Sequence, residues 1–224
     1  SELSSASLVR EVLETEAYSA FSAAHNAHKT LMAGFTTVRD LGTEGAGTAD
    51  AGIRRALELG VIPGPRLLIA GRAIVATGSY GPKGFAVEVP LGAEEADGPD
   101  LVRVVRDQIG DGADWVKVYA DYRWGPGGEV RPTFSADELP LTVDTAASSG
   151  RPTPAHASSP EAIRRAVEAG GQRLPGVLLG FVNCRERFQS LREQAGDAGC
   201  QGAAGTVETA FQALPGEGFD QAPV

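Results

Sequence analysis

The chain has 224 residues, enough for one domain with a sizeable core, and its 42% hydrophobic and 22% charged residues are those of an ordered globular protein. A formal net charge of -9, from 29 acidic against 20 basic residues with no Lys/Arg-rich run, excludes the electrostatic footprint of a nucleic-acid binder. Apolar runs fall short of the ~20 residues of a membrane span, and the first residues lack a basic-then-apolar leader, so the expectation is a soluble, cytoplasmic protein.

In chain order, Leu8 to Ala33 is Ala-, Glu- and Leu-rich, free of proline and followed by Gly34, which predicts a helix. Residues 35–42, Phe-Thr-Thr-Val-Arg-Asp-Leu-Gly, form a β-branched strand ended by glycine, and Ala49 to Leu59 returns to helical spacing. After Gly64-Pro65, the run Arg66-Leu67-Leu68-Ile69-Ala70-Gly71 is nearly continuous in apolar residues, as in a strand covered on both faces. A Gly/Pro-containing segment then extends to about residue 97. It is followed by a helix from Asp100 to Ile109, a strand over 114–120, a helix from Ala136 to Ser149, a short strand over 153–157 and a helix from Ser159 to Ala169.

This rhythm of strand and helix implies repeated βα units, hence a parallel barrel or a doubly wound sheet. No GxGxxG or GxxxxGK[ST] occupies a strand-to-helix turn, which favours the barrel. Leu174 to Val182 suggests a further strand and Arg185 to Ala195 a further helix, before a Gly/Ala/Gln-rich end. Cys184 and Cys200 lack CxxC spacing and read as isolated thiols, with a single bridge as the alternative.

Residues 33–42, Ala-Gly-Phe-Thr-Thr-Val-Arg-Asp-Leu-Gly, together with Gly64-Pro65-Arg66, the turn Ala76-Thr77-Gly78-Ser79-Tyr80-Gly81, Gly112-Ala113-Asp114-Trp115-Val116-Lys117 and Ala155-His156-Ala157, resemble amidohydrolase-superfamily enzymes of the imidazolonepropionase and prolidase-like branch. The resemblance covers roughly residues 8–170 and implies a TIM-barrel-like (β/α)8 fold, here a partial barrel of about five βα units. The expected division is an amidohydrolase-like barrel portion over 1–170 and an atypical C-terminal segment over 171–224.

By the same resemblance the activity is hydrolysis of a C–N bond in an amide, peptide or cyclic amide, using water activated by a divalent metal, zinc in many members. Lys117 matches the fourth-strand lysine, which is carboxylated in many members, and His156 matches the fifth-strand histidine. The pattern is incomplete: no His-x-His precedes the second strand and no Glu-His-Gly follows the fifth unit, so the sequence reads as a fragment of the barrel. The alternative is therefore a catalytically inactive truncated barrel acting as an oligomerising or binding module; open strand edges predict a homo-oligomer in either case.

An unmodified lysine is protonated near neutral pH and ligates poorly; carboxylation would make Lys117 an anionic oxygen ligand beside the neutral imidazole of His156. Without the family motif, Lys117 reads as a strand-end lysine whose stem packs while its ammonium reaches solvent. His25 and His28, at i, i+3 spacing with no third partner, read as surface residues. Tyr80, Lys83, Tyr122, Arg123 and Trp124 fall in the segments after the third and fourth strands, where a barrel places its substrate loops, and Arg123 suits the carboxylate of a small or dipeptide-like substrate. Arg39 and Asp40 are expected to form a structural ion pair. No Gly-x-Ser-x-Gly elbow supports covalent catalysis.

Overall fold

The computed structural model describes residues 14–81 and 92–170, together with the backbone of 179–180. Helix α1 (Glu16–Met32) starts where the Thr15 side chain accepts the Tyr18 amide at 3.2 Å. Glu16 in its first turn and Lys29 in its last suit the helix dipole, and Gly34, at φ 96°, ends it. The start lies later than the predicted Leu8: Thr15 is extended, and residues up to Leu13 lie outside the described residues.

Strand β1 (Thr37–Arg39), helix α2 (Ala49–Glu58) and strand β2 (Arg66–Leu68) form the first βαβ unit, β1 and β2 pairing in parallel with Val38 opposite Leu67. A second sheet contains β3 (Ile74–Val75), β4 (Glu94–Glu95), β5 (Val118–Tyr119), β8 (Ala155–His156) and β9 (Leu179–Gly180) in the order β4-β3-β5-β8-β9, all parallel. Helices α3 (Asp100–Gly110), α4 (Glu138–Ala147) and α5 (Pro160–Gly170) alternate with these strands, and α4 packs against both α3 and α5. Parallel strands need crossovers of this length, and each helix supplies one.

Asp114 joins the two sheets. Its amide and that of Trp115 both donate to the Ile69 carbonyl, at 2.8 and 3.3 Å, while its carboxylate accepts from the Ile69 amide at 2.9 Å and from Arg54 of α2 at 3.0 Å. The strands thus run on from β1 and β2 into β5 and β8 as the successive units of a partial (β/α) barrel, as the sequence predicted.

The main core lies between sheet and helices. Val116, Val118 and Ala120 meet Leu101, Val104 and Val105 of α3, Leu139 and Ala146 of α4, and Ala162 and Ala166 of α5. In α3 the buried positions 101, 104, 105 and 108 recur at one face of a 3.6-residue period. Helix α4 begins two residues later than predicted, after a turn over 136–137 spanned by a reciprocal pair: the Ser135 hydroxyl accepts the Glu138 amide at 3.3 Å and the Glu138 carboxylate accepts the Ser135 amide at 2.8 Å.

Three features were not predicted. Strands β3 and β4 both lie in the segment read as loop, and β6 (Asp121–Arg123) pairs antiparallel with β7 (Val130–Pro132) to make a hairpin immediately after β5. The hairpin turn is Gly125-Pro126-Gly127-Gly128, closed by the Gly125 amide on the Glu129 carbonyl at 3.0 Å. Among the described residues no helix is long and apolar enough to cross a membrane.

Leu101 is fully buried in the first turn of α3. Leu101→Ala should lower stability by ~2–5 kcal/mol, read as a reduced urea midpoint with an unchanged slope, whereas Arg103→Ala on the opposite, exposed face should leave the midpoint nearly unmoved.

Candidate active site

Side chains alternate along a strand, so if Val116, Val118 and Ala120 face the helices, then Trp115, Lys117, Tyr119 and Asp121 face the barrel interior. Parallel register sets Tyr119 opposite His156. Lys117 and His156, the two residues singled out from sequence as metal ligands, therefore share one interior face of neighbouring strands, Lys117 just before β5 and His156 at the carboxyl end of β8, the end where barrel enzymes build their sites. Lys117 is only 5% exposed, so its ammonium does not reach solvent as an ordinary strand-end lysine would. Its Nζ stands 5.4 Å from the centroid of the Tyr119 ring.

The His156 imidazole is half-buried, tilted 34° against the Tyr119 ring at a centroid distance of 5.0 Å, and its Nε2 stands 3.8 Å from Oδ1 of Asp121. Burial holds its pKa below the ordinary 6.5; the positive charge of Lys117 pushes the same way and Asp121 opposes. The ring is thus neutral near pH 7, the form that can offer a lone pair to a metal or a proton.

Asp121 was not singled out from sequence. It is fully buried, and its carboxylate accepts the amides of Ser158 and Ser159 at 2.7 and 2.6 Å. These amides lie where β8 turns into α5, so one carboxylate ties the end of β5 to the end of β8 and faces the positive end of a helix. Ser159 in turn caps the helix, its hydroxyl accepting the Ala162 amide at 3.4 Å.

Beside this pair stands a wall of three tyrosines. Tyr80 lies 5.6 Å from Tyr119 and 5.1 Å from Tyr122, and Tyr119 lies 6.2 Å from Tyr122, ring centre to ring centre. The Tyr80 and Tyr119 hydroxyls donate to the two carboxylate oxygens of Glu44, at 2.9 and 3.0 Å. Burial, and then the charge of Glu44, drives the Tyr80 pKa above its ordinary value, so the phenol stays a donor. Glu44 itself has φ 46°, the one described non-glycine residue with positive φ.

Of the five residues expected to contact substrate, Tyr80 and Tyr122 belong to this wall. Arg123 and Trp124 are exposed on and just after β6, and Lys83 lies outside the described residues. The Trp124 ring packs over Gly78, 3.9 Å from where a Cβ would stand, and Gly78 takes φ 70°. Arg39 and Asp40 diverge, as neighbours in a strand must: the Arg39 guanidinium lies 4.6 Å over the Trp115 ring, and the Asp40 carboxylate accepts the Gly42 amide at 3.1 Å.

Asp40 has few compensating partners for its burial. Desolvation pushes its pKa up to about 7, the Gly42 bond acts against this, and the charges of Asp50 and Glu44 add to it. Asp50, buried at the start of α2, is raised by the same cause while holding the amides of Gly71 and Ala51, each at 2.8 Å.

A catalytic zinc commonly takes three protein ligands. Among the described residues no three His, Cys, Asp or Glu side chains come together as a metal set. Lys117 and His156 alone do not make such a set. His25 and His28 lie on α1, away from this face, and Cys184 and Cys200 lie outside the described residues.

Residues 1–178 match the model described as Amidohydrolase family. An uncharacterized protein of Mycobacterium tuberculosis is 33% identical over 129 residues, which are 58% of this chain and 30% of the relative. A solved prolidase complexed with N-methylphosphonate-L-proline is 29% identical with a TM-score of 0.62, covering 73% of this chain and 42% of that one. A Xaa-Pro dipeptidase with methionine bound in its active site is 29% identical with a TM-score of 0.60, covering 67% and 39%. The chain therefore spans less than half the length of each of these three proteins.

Two titrations test this electrostatic picture. The Asp40 carboxyl keeps its proton in the fold up to about 7 but loses it near 3.8 when unfolded. The unfolded state therefore binds fewer protons between those values, and stability should fall as pH rises from ~4 to ~7, by at most ~4 kcal/mol from this group. Urea midpoints at several pH values should show this fall, and Asp40→Asn should flatten it. In ring-proton NMR, His156 should titrate below 6.5, and Lys117→Met should raise its midpoint by removing a neighbouring positive charge; an unmoved midpoint would contradict the assigned cause.

Proposed function

The chain belongs to the amidohydrolase family, and on that premise we propose that it carries part of the active site of a hydrolase that cleaves C–N bonds in amide or dipeptide-like small molecules. The observation that carries the reading is the placement of Lys117, buried, and His156, kept neutral, on one interior face of adjacent parallel strands. In the family such a face holds a divalent metal, and a prolidase and a dipeptidase are among the structures most like this one.

In this reading Lys117 adds carbon dioxide at its amine, losing a proton, and becomes an anionic oxygen ligand; His156 supplies a neutral nitrogen beside it. A zinc or similar ion bound there would polarise the substrate carbonyl and lower the pKa of a water toward ~7. Asp121 fixes the strand ends that carry Lys117 and His156, so both donors are set before anything binds. Tyr119 and Tyr122 screen the interior from water, which strengthens every charge interaction within it. Arg123 and Trp124, on the exposed hairpin, receive the far end of the substrate, Arg123 pairing with a carboxylate. Tyr80 backs this wall, and Lys83, three residues further along the sequence, is proposed as a further substrate contact.

We also propose that residues 1–170 form the barrel portion and 171–224 an atypical C-terminal segment, and that the chain self-associates. The large exposed side chains Tyr18, Phe21 and Met32 of α1 support association.

Elemental analysis of the whole chain, purified without chelator and supplied with zinc and bicarbonate, tests the site. About one metal per chain or more is expected, with Lys117→Ala and His156→Ala each weakening binding at least ~10-fold. Cleavage of a panel of dipeptides and N-acyl amino acids should be lost with the same substitutions. Metal binding indifferent to both, or no cleavage by the metal-loaded wild type, would overturn the reading.

A further inference from the structure

Among the described residues the His156 ring makes no hydrogen bond of its own. Its orientation rests on packing: one face against Tyr119, one edge near Asp121. Whatever fixes Tyr119 therefore fixes His156. The Tyr119 side chain lies at the carboxyl end of β5 and is only half-buried, so its torsions are not set by close packing alone. Its hydroxyl donates to Glu44, at 3.0 Å, and the other oxygen of that same carboxylate accepts from Tyr80 at 2.9 Å.

Glu44 reaches this place through a turn built for it. The Thr43 amide donates to the Gly71 carbonyl at 3.1 Å, the Thr43 hydroxyl to the Gly47 carbonyl at 2.8 Å, and the Ala46 amide closes the turn on the Thr43 carbonyl at 3.1 Å. Within this turn Glu44 adopts φ 46°, a conformation unfavourable for a non-glycine residue and persisting only where surroundings enforce it. A glycine or asparagine would satisfy the turn with less strain, so the backbone alone does not call for glutamate. Its carboxylate does, since each oxygen receives one phenol in a charge-assisted bond.

We infer that Glu44 is a positioning residue: gripping the Tyr80 and Tyr119 hydroxyls, it holds the Tyr119 ring against His156 and so sets the direction of the imidazole. The relay runs from the loop after β1, through the loop after β3 and the end of β5, to the end of β8. It makes the orientation of one imidazole depend on a side chain three units away in the barrel. Its bearing on catalysis rests on the hydrolase reading; the relay itself does not.

Ring-proton NMR of the whole chain reads the relay directly, with His25 and His28 on α1 as internal references. In Glu44→Ala the His156 ring resonances should shift, and its cross-relaxation to the Tyr119 ring should weaken, while His25 and His28 stay in place. Glu44→Gln keeps one acceptor and should give an intermediate change, and Tyr80→Phe, which removes one of the two grips, a smaller one. A folded Glu44→Ala protein with the wild-type His156 shifts and Tyr119 contact overturns the inference. If that variant does not fold, unmoved His156 resonances in both Glu44→Gln and Tyr80→Phe overturn it instead. The two readings fail separately. A chain without hydrolase activity whose His156 still responds to Glu44 keeps the relay and loses the hydrolase, and an active chain whose His156 ignores Glu44 does the reverse. With activity present, Glu44→Ala should lower kcat more than it changes KM.

Discussion

Everything in this molecule depends on the strand from Asp114 to Asp121 having two faces to fill. One face, Val116, Val118 and Ala120, closes the core against three helices. The other, Trp115, Lys117, Tyr119 and Asp121, points into the barrel, where no helix can cover it and the side chains must satisfy one another. A register slip of one residue would put a lysine and an aspartate into the helix-facing core at a cost no local adjustment could offset. The apolar face therefore pins the polar one, and the site is as rigid as the core behind it.

Charge is sorted within the interior. Asp40, Asp50 and Glu44 stand on the β1 and α2 side, where burial raises the Asp40 and Asp50 carboxyls and the charges of Asp50 and Glu44 add to the shift of Asp40. Lys117 and His156 stand on the β5 and β8 side, where burial and the lysine charge keep the imidazole neutral. Tyrosines lie between the two groups, donating hydroxyls to one and ring faces to the other. A phenol suits that boundary because it joins an acceptor-seeking proton to an apolar, electron-rich face.

The order of strands and helices was legible because it rests on local rules: the 3.6-residue period of α3, the β-branched run at residues 36–38, and the two-sided apolar strand at 66–71. Lys117 and His156 were legible through the motifs around them. Tyr119 and Asp121, two and four residues beyond Lys117, could have been found by carrying the strand alternation past the motif. Glu44 could not, since its two partners are 36 and 75 residues away and only the fold brings them together. Strand β4 is two residues long and hydrophilic, which leaves no periodicity to read, whereas the unpredicted β6–β7 hairpin could have been found from its turn, Gly125-Pro126-Gly127-Gly128.

The sequence contains two tryptophans, and the fold gives them opposite surroundings. Trp115 is 7% exposed beneath the guanidinium of Arg39, at the amino-terminal end of the strand that carries Lys117, while Trp124 is 44% exposed where the hairpin meets Gly78. The protein thus holds two native fluorophores that sense different events. Emission from Trp115 follows the packing of the barrel interior, and emission from Trp124 follows the hairpin's seating on the neighbouring turn, so movement of one can be told from loosening of the other without attaching a dye.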